Sequence, residues 1–167
     1  MEHLAEVREQ HSSDAVVDAL SRLAAVTQDL ALATGGDEGL HLHHAALASL
    51  HEAIALAADS NRPLQLPRLK AVAAEYMAQW HGNIDGTNIQ LLRGALDQVR
   101  EAASSLQRYA RTATSAADRR DLALRYSEHA VAVAFDLAFR LGEQQILGEM
   151  IEARAGDIVL PAGVGSP

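Results

Sequence analysis

Apolar and polar positions repeat at helical spacing along most of this chain, most regularly between Thr87 and Ala113. Ile89, Leu92, Leu96, Val99, Ala103, Leu106, Ala110 and Ala113 follow at intervals of three or four, which places them on one face of an α-helix. A second line at Ala95, Ala102 and Tyr109 widens this face beyond a two-stranded seam, so the helix is expected to pack against several neighbours. Thr87 and Gln90 fit a capping box after a turn at Asp85-Gly86.

The flanking sequence divides in the same way. A short helix is predicted from Glu2 to Gln10 through Leu4 and Val7, with Ser12-Ser13 as a break. Next comes a helix striped by Val16, Leu20, Leu23, Thr27 and Leu30 that stops at Gly35-Gly36. From Asp37 to Asp59, Leu40, Leu47, Leu50, Ile54 and Ala58 share a face. Pro63 and Pro67 exclude regular helix between them, but Pro67 suits the first turn of a helix in which Leu69, Val72, Ala73, Tyr76 and Trp80 align, closed by His81-Gly82-Asn83.

After the central stripe, Ser115 and Asp118 can cap a helix that runs to Leu141 and has two apolar sides. Tyr126, Ala130, Val133, Leu137 and Leu141 form one. Leu124, Val131, Phe135, Ala138 and Phe139 lie roughly opposite. A helix apolar on both sides is either the inner element of a fold or half of a subunit interface, which makes Val131, Phe135, Ala138 and Phe139 the interface candidates. A last helix spans Glu143 to Ala155 with Ile146, Leu147, Met150 and Ile151 apolar. The predicted fold is all-α: five or six helices in an antiparallel multi-helix bundle or a short helical-repeat array, with the 87–113 and 116–141 helices at its centre. Residues 1–156 form a single domain, and 157–167 a Gly- and Pro-rich tail whose Ile158, Val159 and Leu160 could dock on it.

Composition narrows the function more than it identifies it. The chain of 167 residues has a formal charge of −8, which argues against nucleic acid as a partner. That charge is uneven: residues 1–66 hold ten acids and three arginines, residues 67–167 twelve acids and eleven bases. Cysteine is absent, so disulfides and thiolate chemistry are excluded. No apolar run approaches membrane-spanning length and no basic-then-apolar leader opens the sequence, so a cytoplasmic location without a membrane partner is expected. One lysine among fourteen basic residues fits a GC-rich bacterial genome.

The conspicuous chemical feature is a histidine cluster at His41, His43, His44 and His51. His44 and His51 are seven residues apart, about 10.5 Å along a helix, too far for one ion without ligands from another helix. HExxH does not occur and no pair of ExxH motifs is present, so no metal site is assigned; His43, His44, His51 and His129 remain the candidates for a ligand- or metal-binding bundle. His129 with Glu128, and Tyr76 with Trp80, could line an interhelical pocket. There is no phosphate loop and no nucleophile elbow, and the chain is read as non-enzymatic and cofactor-free.

Two resemblances bear on this reading. The stretch from His44 to Ala53 and that from Tyr126 through Leu141-Gly142 to Ala153 resemble helices of tetratricopeptide-type proteins of actinobacteria, which implies a helical scaffold that holds a protein partner. Trp80-His81-Gly82, followed by an Ala-rich striped helix, resembles the WXG-motif family of small secreted helical hairpins, which implies a dimer of antiparallel helices. The expected function is a helical interaction or scaffold module with a protein partner or in a homo-oligomer.

Overall fold

The computed structural model describes residues 2–60, 62–82, 86–112 and 117–156, with side chains from residue 13 to residue 154. Six helices follow in order: α1 (Glu2–Thr34), α2 (Gly36–Asp59), α3 (Gln65–Trp80), α4 (Ile89–Thr112), α5 (Ala117–Leu141) and α6 (Gln144–Gly156). The protein is an all-helical bundle. Predicted features at Leu4, Val7, Asn83, Asp85, Ala113, Ser115 and Ile158 to Leu160 lie outside the described residues or side chains.

Several predicted boundaries move. The serine pair at 12–13 does not break the chain, and one helix runs through it, since two serines cost only tenths of a kcal/mol each in propensity. Helix α3 begins at Gln65 and not at Pro67; Pro67 still falls in the first turn, where an amide proton has no intrahelical partner. Asn88, not Thr87, takes the N-cap of α4, because its carbonyl accepts the first helical hydrogen bond from Leu92 at 3.0 Å.

Two cores meet on α3. Leu69, Ala73 and Tyr76 face a cluster with Val17, Ala24, Ala46 and Leu50 of the α1–α2 hairpin. Ala71, Ala74, Met77 and Ala78 face a second cluster with Leu92, Leu96 and Leu106 of α4 and Val133 and Leu137 of α5. The inner element is therefore α3, and not α5 as its two apolar sides suggested. Alanines make this possible, because a helix with small side chains on both sides lets neighbours approach closely on each. Across α3 and α5, the Arg68 guanidinium sits 5.1 Å above the Tyr126 ring, and Arg140 donates to the Ala78 carbonyl at 2.8 Å. Helix α6 packs Ile146, Leu147 and Met150 against the second core. Arg93–Glu143 at 3.1 Å and Arg100–Glu149 at 3.2 Å tie it to α4, exposed pairs worth a few tenths of a kcal/mol each.

The stripe of α4 is buried as its spacing predicts, from Leu92 to Ala110. Those of α1 and α2 are rotated by about one residue. The α1 positions turned to α2 are Val17, Ala24, Gln28 and Ala31, whereas Val16, Leu23 and Leu30 of the predicted stripe are exposed. On α2 the buried set is Gly39, His43, Ala46, Leu50, Ala53 and Ala57. Small residues on both sides of this contact bring the two backbones close, and hydrophobicity alone does not mark that face.

Leu106 is fully buried in the second core and Leu23 is 56% exposed. Leu106→Ala is expected to lower unfolding stability by about 2–5 kcal/mol and Leu23→Ala by less than about 0.5 kcal/mol, as read by urea denaturation. Equal losses would contradict the rotation of α1.

Candidate functional site

Where α1, α2 and the end of α3 meet, the small residues enclose a polar group. A Cβ added at Gly39 would lie 2.7 Å from the Ala31 carbonyl oxygen and 2.9 Å from Cη2 of Trp80, so only glycine lets α1 and the indole close on α2 here. One turn further on, His43 is 1% exposed and stacks on Trp80, with centroids 5.1 Å apart and planes 10° apart. Its Nδ1 lies 2.8 Å from Oε1 of Gln28 on α1. Because that oxygen can only accept, Nδ1 carries the proton, which fixes the tautomer of the neutral ring.

Gln28 in turn donates through Nε2 to the Tyr76 carbonyl and to Oε1 of Gln79, each at 3.4 Å. Gln79 donates to Glu75 Oε1 at 3.4 Å, and the other Glu75 oxygen lies 3.2 Å from Nε2 of His129 on α5. A line of polar side chains thus runs from His43 through Gln28, Gln79 and Glu75 to His129, crossing from α2 to α5 by way of α1 and α3. His129 accordingly faces Glu75 and not its sequence neighbour Glu128, which is exposed. Of this line only the two histidines stand out in the sequence. The signal for Gln28 is that it interrupts the small-residue series Val17, Ala24, Ala31; Gln79 and Glu75 gave none.

The histidine cluster does not converge. His44 and His51 are exposed, as is His41. The His44 ring is 5.9 Å from that of His43, and His81 approaches His43 edge-on at 6.1 Å. Among the described residues, no three His, Asp or Glu side chains are placed to hold a metal ion. Tyr76 and Trp80 belong to the junction itself, the first through its backbone carbonyl, the second as the stacking plane for His43.

The interface candidates separate likewise. Phe135 and Phe139 point outward from α5, and Val131 is half-buried against the core. Ala138 is fully buried, because it lies on the side of α5 turned to α3 and α4, and so takes no part in the outer face.

Burial pushes the His43 imidazole down to about 4 from its ordinary 6.5, and the charges that His81 and His44 acquire act in the same direction. The unfolded chain therefore binds a proton at this residue near pH 6.5 that the folded chain accepts only near pH 4. Stability from the neutral ring is complete above about pH 6.5, falls on acidification, and is fully lost by about pH 4, a change of about 2–3 kcal/mol. Denaturation of wild type and His43→Asn across this range should show the excess slope in the wild type alone. Trp80, the one tryptophan, should lose emission over the same lower range as the stacked imidazolium forms. Parallel pH profiles for the two proteins would contradict a buried neutral His43.

No family model matches the chain, and no curated protein or solved structure shows significant similarity to it.

Proposed function

We propose that this protein is a non-enzymatic helical interaction module that associates with a second copy of itself through the outer face of α5. The observation that carries this reading is the placement of the aromatic residues. The chain has two phenylalanines, and both lie on the outside of one helix four residues apart, Phe139 70% exposed and Phe135 41%. Phenylalanine is among the residues most often buried, and adjacent exposed rings are the usual mark of a contact surface. Leu124, 42% exposed, extends the same face toward the start of the helix.

Charge supports a second copy as the occupant. Helix α5 carries four acidic and four basic side chains, so two such faces meet without net repulsion. A two-fold pairing sets Phe135 and Phe139 against their own equivalents, the self-complementary form that dimers most often take.

The order of packing supports the scaffold side of the proposal. Among the described residues, helix backbones lie close to their chain neighbours, and beyond these α1 to α3 and α3 to α5. Three consecutive hairpins whose first helices stack in this way form an array that grows in one direction and leaves broad outer faces for binding. Arrays of this kind are scaffolds in the tetratricopeptide-type proteins that the sequence resembles.

Sedimentation velocity on wild type and Phe139→Asp tests the reading. The wild type is expected to show a concentration-dependent dimer that the variant lacks. Helicity should stay the same and stability change by less than about 0.5 kcal/mol, since the side chain is largely outside. A wild type that stays monomeric at all concentrations would refute self-association.

A further inference from the structure

The rotation of α1 onto its small-residue face leaves Val16, Leu23 and Leu30 of the predicted stripe uncovered, while Leu20 and Thr27 are half-buried, Leu20 against the first core. With Ala19 and Val26, the exposed residues keep an alternating three-four spacing over two heptads: Val16, Ala19, Leu23, Val26 and Leu30. Val16 is 43% exposed, Leu23 56% and Leu30 53%, with Val26 at 68% beside them. Toward its start the line continues over an open apolar patch formed by Ala15, Val16, Ala19, Leu20 and Leu23. A straight apolar line of this spacing, about 21 Å long, matches the stripe of another helix.

Charge selects what that helix is. The described side chains of the α1–α2 hairpin, residues 13–60, include seven acids and one arginine, Arg22, a formal charge of −6. Among the described residues only Asp14 of these acids is held in an ion pair, with Arg62; Asp18 and Asp29 lie exposed on the flank beyond Val26. The rest of the described chain has twelve bases and ten acids, so the negative charge is concentrated on this hairpin. A second copy laid on the same stripe would bring two surfaces of like sign together, and so would an anionic membrane. A partner with lysine or arginine along its apolar stripe meets opposite charge there.

We infer that the exposed face of α1 is a docking site for an amphipathic helix of a partner protein, one that bears an apolar three-four stripe flanked by basic residues. This extends the interaction-module reading to a face separate from α5, and the two stand or fall independently.

The test uses the full chain and two labelled peptides of about 18 residues, both with leucine at three-four spacing, one with lysine and the other with glutamate at the flanking positions. Fluorescence anisotropy is expected to show the lysine peptide binding at least about tenfold more tightly, with that preference shrinking as salt rises from about 0.15 M to about 0.5 M. Leu23→Asp should weaken binding at least about tenfold, although its added negative charge alone would favour the lysine peptide. Val26→Asp supplies a second variant if the first lowers helicity. Phe139→Asp should bind like the wild type. Equal affinity for the two peptides, binding unchanged in both α1 variants, or loss of binding in Phe139→Asp would overturn the inference. So would a wild-type dimer that Leu23→Asp dissociates, since that would make a second copy the occupant of α1.

Discussion

Because α3 buries two opposite faces at once, it decides how the other helices can be arranged. Leu69, Ala73 and Tyr76 close one core with the α1–α2 hairpin, and Ala71, Ala74, Met77 and Ala78 close the other with α4 and α5. Among the described residues, the backbones of α1 and α2 approach none of α4, α5 and α6, so the two halves pack through α3. A large side chain in place of Ala74, which is fully buried, would have to displace a helix and not merely a rotamer. The outer residues Val16, Leu23 and Leu30 of α1 and Phe135 and Phe139 of α5 remain uncovered, because each of these helices turns its small-residue side to the bundle.

The junction of α1, α2 and α3 rests on directional contacts as well as on apolar packing. Gly39 admits the indole of Trp80, the indole gives His43 a stacking plane, and Gln28 fixes the tautomer of that ring. Buried polar groups of this kind are costly when unpaired and specify register when paired. The His43–Gln28 pair thus defines how α1 sits on α2, a contact of alanines that would otherwise tolerate sliding. Burial also raises the Tyr76 phenol above its ordinary 10, with Glu75 and Asp29 adding to the effect, so that group stays neutral across the pH range in which His43 titrates.

How legible these features were depended on side-chain size. The α4 stripe, built of Leu, Val and Ala at strict spacing, could be read directly, and the all-helical class followed from its pattern and that of its neighbours. Helices α1 and α2 misled because their larger residues, Val16, Leu23 and Leu30 among them, are not the ones that face each other; Ala24, Ala31, Ala46 and Ala53 are. Periodicity weighted by hydrophobicity favours leucine, whereas close helix approach selects alanine and glycine. The histidines were visible as residues, but not their separation into one buried ring and several exposed ones, because that depends on a partner fifteen positions away at Gln28. The outward placement of Phe135 and Phe139 was legible only as one of two alternatives for α5, and the exclusion of Ala138 from that face required the fold.

The absence of cysteine makes one measurement on the central claim especially direct. Ala132 is exposed and lies beside Phe135 on the outer face of α5, so Ala132→Cys accepts a single spin label per chain without other reactive sites. Self-association through this face predicts one sharp intermolecular distance by pulsed dipolar spectroscopy. A decay with no intermolecular component at high protein concentration would contradict it.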